Sequence, residues 1–563
     1  APVGHNEAVH LALDSHPDGA RIATLDAAGH SYGDDLVVSL HDLPAEVARR
    51  ERHRPRWVWE SATRWYPALL AAGVRVERSV ELRLCHVILR NSALTAGSAL
   101  ATARPGPWDA TPGVVVPGRE EQAGLFDVVS QPRPLDVCAE FASQVATVQA
   151  CDSPGPLRLL LAAESAGALV AVEIQHAGLP WDAALHDRLL TDRLGPRPLG
   201  GERPAKLEAL AVTIRETLGA PDLNPDSPAD VLKALRRAEL TVTTTRSREL
   251  EHIDHPVIAP LLTYKKLSRL HAANGWQWLE AWIRDGRFHP VYVPGGVVTG
   301  RWAASGGGAL QLPKEIRGAV VADPGWKLVV ADAAQLEPRI LAGMSGDRRM
   351  TEAGQDGDLY EGIVAAGAVS TRAEAKLALL GAMYGARSGD SGRLLPRLTT
   401  AFPDAIALVE AAARAGERGE VVSTRLGRSS PAPGEEWRDR QRTSFGPDAT
   451  KGERASAAAE SRSWGRFTRN FIIQGTGAEW ALCWMAGLRN LLWALGQGGL
   501  AERPQLVFFL HDELVVHAPA HLAEEVAVAM RQAAHDAGQM LFSGSVIDFP
   551  ITVAIVDSYA EAK

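Results

Sequence analysis

"VFFLHDELVV", residues 507–516, sets four apolar residues before His511, Asp512 and Glu513 and three apolar residues after them. Burying an ionised carboxylate costs several kcal/mol unless a cation or hydrogen bonds compensate, so adjacent acids between apolar runs call for an explanation. The flanks "VFFL" and "LVVHA" suit two strands of a hairpin, which puts His511 and Asp512 at its tip. Such a tip has two readings: an ordinary solvated turn, or a carboxylate aimed at a metal ion.

A second carboxylate sharpens the choice. "WKLVVADAA" (326–334) is the clearest strand of the chain and carries Asp332 at its end; "QLEPRILAGMSGD" then reads as a helix, with Pro338 tolerated in the first turn. If a strand end and a hairpin tip meet across one sheet, their two carboxylates repel unless divalent cations bridge them. Oxygen-only ligands favour magnesium or manganese, and two such ions about 3.5–4 Å apart are the usual machinery of phosphoryl transfer. A third stretch, "TRAEAKLALLGAMYGARSG" (371–389), repeats Arg372, Lys376, Leu380 and Tyr384 every four residues, one stripe of a helix roughly 18 Å long. Two cations at one end and an aromatic at the other match the charge pattern of a nucleoside triphosphate. Taken alone, an amphipathic helix with two solvated cations fits equally well.

Composition bounds the rest. At 563 residues with 46% hydrophobic and 22% charged residues, the chain is a multidomain globular protein, and no apolar run reaches the ~18 residues that a membrane helix needs. Cys85, Cys138, Cys151 and Cys483 are isolated, without zinc spacing, and the opening residues have neither a basic region nor an apolar core. The expectation is a cytoplasmic protein, nucleoid-associated if bacterial, with no membrane partner. Net charge is −8, yet residues 233–301 hold 11 Lys and Arg against 6 Asp and Glu, and residues 421–470 hold 10 against 6. Each segment reads either as a basic face for a polyanion or as a mixed solvated surface.

Along the chain, residues 1 to about 150 read as mixed α/β, with strands at "EAVHLALDS" and "RIATLDAAG" and a strand running into a helix at "PRWVWESATRWYPALLAAGV". Helices dominate from about 154, and Ser227 caps "PADVLKALRRAEL". The Pro/Gly/Arg-rich segment 427–454 reads as a long mobile loop. Trp276, Trp278, Trp282, Trp480 and Trp484 fall at helical spacings and are read as core.

The three chemistry-bearing stretches stand in the order of motifs A, B and C of family A DNA polymerases, the polymerase I type. "VVADAAQLEPRILAGMSGD" resembles motif A, "RAEAKLALLGAMYG" the fingers helix and "LHDELVVHAP" motif C. "TGRWAASGGGALQLP" resembles the family's TGR element, "VVSTRLGRSSP" its Gly-Arg turn and "RFTRNFIIQGTGAE" its Asn and Gln-Gly-Thr helix. The resemblance covers about 180–563 and implies a multidomain α/β fold: an RNase H-like exonuclease-type domain over 1–175, a thumb over 176–300, a palm with an antiparallel sheet over 301–350 and 465–563, and helical fingers over 351–464.

It also implies a DNA-templated DNA polymerase, acting as a monomer on primer–template DNA and deoxynucleoside triphosphates. Asp332 and Asp512 would hold two magnesium ions, manganese substituting, with the Ala333 carbonyl assisting and Glu513 nearby. Lys376 and Arg372 would clamp phosphates, Lys376 as proton donor to pyrophosphate, with His511 also touching them. Glu337 would exclude ribonucleotides, Gln335 would frame the pocket, and Leu380 and Tyr384 would line it. Arg301, Gln311, Arg466, Asn470 and Gln474 would contact primer or template, and Lys265 and Lys266 of "TYKKLSRL" the backbone at the thumb. Three departures stand out: Leu380 where the family usually has Phe or Tyr, Ala333-Ala334 for Tyr-Ser, and Pro338. The exonuclease ligands look lost, with Asp14 lacking its partner acid, Trp65 at an expected Asp, Leu161 and Ser165 at an expected Tyr and Asp, and Glu81 a stray carboxylate. The alternatives are a catalytically retired DNA-binding scaffold, a polymerase retaining weak 3′-5′ exonuclease, and a single-subunit RNA polymerase, against which Glu337 argues.

Overall fold

Two short segments, His10–His16 (β1) and Arg56–Trp59 (β4), carry nearly continuous apolar runs because both of their faces are covered. Leu11, Leu13, Trp57 and Trp59 enter one core cluster, while Ala12 and Val58, between them in sequence, enter another. The computed structural model describes residues 9–110, 135–305, 307–355, 357–386, 389–444 and 446–562. Around β1 and β4 forms a five-stranded sheet in the order β3-β2-β1-β4-β5, with β2 over Gly19–Leu25, β3 over Leu36–Val38 and β5 over Arg78–Glu81. Strand β1 pairs antiparallel with β2 and parallel with β4, and β4 pairs parallel with β5. Helices α1 (Ala62–Ala71) and α2 (Pro154–Ala177) cover one face, Trp65, Leu69, Ala168 and Val172 joining the same cluster as Trp57.

The chain divides into two compact units, and most of the second sheet lies in the first of them, which comprises 1–177, 291–306 and 329–555. Its strand order is β7-β8-β6-β9, with β6 over Trp326–Ala333, β7 over Gln505–Leu510, β8 over Glu513–Pro519 and β9 over Ile551–Val556. The expected hairpin is β7 and β8, antiparallel and closed by the pair Leu510–Glu513, which leaves His511 and Asp512 as its two turn residues. Helices follow β6: α3 (Leu336–Ser345), α4 (Leu359–Ala365), α5 (Arg372–Tyr384) and α6 (Pro403–Glu417). Pro338 is the third residue of α3, where the missing N–H has no intrahelical acceptor to lose.

The longest element is α7 (Lys451–Leu495), 45 residues and so about 68 Å at 1.5 Å per residue. A capping box starts it, Thr450 and Glu453 exchanging side-chain and backbone bonds. It packs on α6 and on α8 (Ala523–Leu541), with the Trp484 indole donating to the Met530 carbonyl at 3.0 Å. Trp480 and Trp484 are core residues as expected; Trp276 and Trp278 are buried and Trp282 half-buried. The expected loop over 427–454 is a correction: Glu435–Ser444 is a helix, and α7 begins at Lys451. The sequence "EEWRDRQRTS" has no apolar stripe to announce a helix. It is held instead by acids at its start, Arg442 in its last turn, and bonds to the first turns of α7: Arg440 to Glu460 at 2.9 Å and Gln441 to the Ala457 carbonyl at 2.9 Å.

The second unit comprises 178–290, 307–328 and 556–563. Its helices include Ala183–Leu194, Pro228–Arg237 and Ile258–Asn274, and Ser227 caps the second of these by accepting from the Asp230 N–H at 3.2 Å. Its core is an aromatic group of Trp181, His186, Trp278 and Phe288. Among the described residues of the whole chain, no helix is long and apolar enough to cross a membrane.

Candidate active site

Strand β8 lies beside β6, and the Ala333 N–H donates to the Asp512 carbonyl at 3.0 Å. Asp332 and Asp512 are therefore brought to one place, each the half-buried acid at the end of an otherwise buried apolar strand or hairpin. Glu513 is 1% exposed within β8, deeper than Asp512. Tyr292 steadies the hairpin: its hydroxyl donates to the Phe509 carbonyl at 2.5 Å and accepts from the Phe509 N–H at 3.0 Å. Two residues beside the acids hold a positive φ that disfavours any side chain, His511 at 60° and Gln335 at 55°. Gln335 meets this cost while its side chain accepts from the Leu359 N–H at 2.9 Å, tying α4 to the start of α3.

Glu337 is the centre of a second cluster. One of its carboxylate oxygens accepts from Arg301 at 2.6 Å and the other from the Tyr384 hydroxyl at 2.7 Å. Burial first, then this bond to Glu337, raises the Tyr384 phenol above its ordinary range, while a hydrogen bond from the Gln474 side chain to the phenol oxygen pulls the other way. His511 belongs here too: partial burial, then the nearby Arg301 guanidinium, push its imidazole below its ordinary value. The α5 stripe is outward as expected, with Arg372, Lys376 and Tyr384 exposed and Leu380 half-buried. At its far end Arg372 is held by Asp358 at 2.8 Å and lies over the Tyr360 ring at 5.4 Å.

Arg466, Asn470 and Gln474 follow one another at every fourth residue of α7, all at least partly exposed, with Phe471, Ile472 and Ile473 buried between them. The Arg466 stem rests beside Gly385, where an added Cβ would stand 3.0 Å away. The remaining expected residues lie in the second unit. Lys265 is half-buried with its ammonium on the Thr245 carbonyl, its pKa lowered by burial, and Lys266 is paired with Glu315 at 2.7 Å. The Gln311 side chain lies outside the described residues.

Sequence reasoning missed the buried charges that hold these pieces. Arg339, 0% exposed in α3, donates to the carbonyls of Ala334 at 3.1 Å, Gly354 at 2.9 Å, Asp548 at 3.0 Å and also Gly357. Arg469 donates to the Ala382 carbonyl at 2.6 Å and to Glu410, fastening α7 to α5 and α6. Glu479 accepts from the Leu426 N–H at 3.0 Å and from Thr424, and burial pushes its carboxyl up to about 7. The available signal was a lone charge inside an apolar helical run, as in "PRILAGM" or "AEWALCWM".

Among the described residues no three His, Cys, Asp or Glu side chains converge to hold a metal ion by themselves. The donors present, two carboxylates and the Ala333 carbonyl, are all hard oxygens, which suits a magnesium-type ion that takes its other ligands from water and substrate phosphates.

A model of DNA polymerase family A matches residues 199–558. The DNA polymerase I of Chloroflexus aurantiacus is 30% identical over 340 residues, 55% of this chain and 33% of the relative. The thermostable DNA polymerase I of Thermus aquaticus is 28% identical over 397 residues, 65% of this chain and 40% of the relative. The chain thus spans well under half the length of these relatives. The POL domain of Pol1 from M. smegmatis, solved in complex with DNA primer-template and dNTP, superposes with a TM-score of 0.67 at 19% identity, covering 99% of this chain and 96% of that one. The two chains share a fold.

Proposed function

The chain belongs to DNA polymerase family A, and on that premise we propose that it is a DNA-templated DNA polymerase which adds deoxynucleotides to a primer 3′ end by two-metal phosphoryl transfer. The observation that supports this reading is the Ala333 N–H bond to the Asp512 carbonyl, which makes the backbones of Asp332 and Asp512 neighbours on adjoining strands. In the reaction the primer 3′-oxygen forms a bond to the α-phosphorus, the bond from the α-phosphorus to the bridging oxygen of the β-phosphate breaks to release pyrophosphate, and the hydroxyl proton passes to solvent. Asp332, Asp512 and the Ala333 carbonyl would hold two magnesium ions, with manganese able to substitute, and Glu513 would lie behind them. Such ions acidify the 3′-hydroxyl and neutralise the triphosphate.

The chain's own side chains supply the rest. Lys376, exposed on the α5 stripe, gives a proton to the departing pyrophosphate; Arg372 moves from Asp358 onto the phosphates, with His511 at their other side. Leu380 and Tyr384 line the pocket that Gln335 frames. Glu337, held between Arg301 and Tyr384, crowds the sugar C2′ and excludes a ribose hydroxyl. Arg301, Arg466, Asn470 and Gln474 contact primer, template or minor groove, contacts that carry affinity without sequence preference.

The same reading assigns 1–175 to an RNase H-like exonuclease-type domain, 176–300 to the thumb, 301–350 and 465–563 to the palm and 351–464 to the fingers. Its first domain would not proofread. The mixed β3-β2-β1-β4-β5 sheet supports the fold assignment, and the side chains at the ligand positions support the loss. Asp14 is paired with Arg21 at 3.4 Å, Trp65 is buried, and Ser165 donates to the Leu161 carbonyl at 2.7 Å and accepts from the Glu81 N–H at 3.0 Å. The test is extension of a labelled primer with magnesium and either deoxy- or ribonucleotides, next to Asp512→Ala and a reaction without nucleotides. Deoxynucleotide extension lost in Asp512→Ala, with no primer shortening, is the expected result; a wild-type chain that binds DNA and extends nothing would make it a scaffold.

A further inference from the structure

Arg301, the cation on Glu337, is flanked by two residues connected to α2, the helix that ends the 1–177 segment, Gly300 through Arg428 and Trp302 directly. The preceding residue, Gly300, has φ +86°, and a Cβ built there would stand 2.5 Å from Nε and 2.8 Å from Cζ of Arg428. The Arg428 guanidinium therefore lies close against Gly300. Its ion-pair partner is Glu164 of α2, 0% exposed, in which burial raises the carboxyl against the pull of Arg428. The following residue, Trp302, is 4% exposed; a Cβ at Gly167, one turn after Glu164 on α2, would stand 3.6 Å from its ring. The same indole also meets Phe509 of β7, the rings nearly perpendicular and 5.2 Å apart.

The turn that carries Arg428 does not need this ion pair to keep its shape. The Arg425 N–H donates to Thr476 at 3.1 Å and the Leu426 N–H to Glu479 at 3.0 Å, both on α7. From the other side Ser92 donates to the Gly427 carbonyl at 2.7 Å and the Ala93 N–H to Ser429 at 2.8 Å. A buried ion pair is a poor source of stability, because the desolvation of two charges offsets their attraction. What the pair does supply is direction, since a guanidinium has a planar, fixed fork.

We propose that Glu164 is a positioning residue for the polymerase reaction: through Arg428 it fixes Gly300, and so the angle at which Arg301 meets Glu337 and the primer end. The N-terminal segment thereby serves sugar selection without a nuclease activity of its own. This role presupposes the polymerase reading above, with Glu337 as the sugar gate.

The experiment uses the full chain and compares wild type, Glu164→Gln, Gly300→Ala and the double variant. Single-nucleotide incorporation is measured with a deoxy- and the matching ribonucleotide, together with primer–template affinity and hydrogen exchange over 295–303. Glu164→Gln is expected to lower kcat about tenfold with little change in KM, to narrow the deoxy/ribo preference about tenfold, and to leave DNA affinity unchanged. Exchange at Gly300–Trp302 is expected to quicken about tenfold, and the double variant to add little, as for two steps of one chain of contacts. A folded Glu164→Gln with wild-type preference and wild-type exchange overturns the proposal. Should that variant not fold, Glu164→Asp decides by the same criteria, since it shortens the reach of the carboxylate to Arg428 and leaves the Gly300 backbone, at φ +86°, without an added side chain. If the unaltered chain extends no primer, the polymerase reading fails, and the exchange measurement by itself still decides whether Glu164 braces the Arg301 segment.

Discussion

His511 pays for its place in the hairpin tip with a φ of 60°, a conformation that costs an L-residue roughly 1–2 kcal/mol relative to the right-handed region. Glycine would carry no such cost, so His511→Gly is expected to be more stable than His511→Ala by about 1 kcal/mol in denaturant titration, both having lost the imidazole. Equal midpoints would mean that the turn stores no strain. Leu380 makes the opposite case, a residue whose side chain withholds a contact. It is half-buried on the outward stripe of α5 between Lys376 and Tyr384, and stacking an aromatic on a base contributes about 1–3 kcal/mol. Leu380→Phe is expected to lower KM for the deoxynucleotide about tenfold; an unchanged KM would place the base elsewhere than on α5. At this scale the ionisable residues of the candidate site could be read from the sequence, because carboxylates at apolar strand ends and cations at four-residue spacing are local patterns. Arg339 and Glu164 could not. Apart from the Ala334 carbonyl beside Arg339, the partners cited for this pair of residues include backbone carbonyls and a guanidinium that lie 15 to 264 residues away, and no local spacing encodes such a distance.

Strands and helices with an apolar stripe were legible for the same reason, and the polar helix Glu435–Ser444 was not, since it borrows its stability from α7. The junction between β5 and α1 shows how an element can depend on a charge far along the chain. Ser61, at the start of α1, makes no side-chain cap, and the helix N-terminus is served instead by Glu81, which accepts from the Ala62 N–H at 2.7 Å and the Trp59 indole at 3.1 Å. Burial, the largest influence, pushes this carboxyl up from 4.5 to about 7 in spite of those bonds. A carboxyl raised on folding contributes its stability fully below the unfolded value near 4.5 and loses it as pH rises through 7, on the order of 3 kcal/mol in all. Glutamine keeps the acceptor and cannot ionise. The melting temperature of Glu81→Gln, taken relative to wild type, is therefore expected to climb between pH 5 and pH 8.5, roughly across the titration of the buried acid; a constant offset would show that Glu81 ionises normally in place.

Over the whole chain, sequence order misleads, because each compact unit is assembled from separated stretches: 291–306 and 329–555 join 1–177, while 307–328 and 556–563 join 178–290. Composition changes slowly along the chain and cannot mark such returns. The two units also carry buried groups of opposite pH sense. In the second unit His186 is 0% exposed, its Nε2–H donates to the Asn274 carbonyl at 3.0 Å, and its ring packs against both Trp181 and Trp278. Burial lowers its pKa from 6.5 to about 4, the Asn274 bond and the nearby Asp187 pulling the other way without prevailing. A group lowered on folding contributes stability that is full above 6.5 and lost as pH falls through 4, again on the order of 3 kcal/mol. Acidification from pH 7.5 to 4.5 is thus expected to weaken the second unit through His186 while Glu81 and Glu479, both near 7 in the first unit, gain their protons and strengthen it. Calorimetric scans over that range should show the transition of the second unit moving down relative to that of the first. In His186→Gln, whose amide can still donate to Asn274 and does not titrate, the relative shift should shrink. If it persists at full size, the acid sensitivity resides in the exposed ion pairs rather than in this aromatic core.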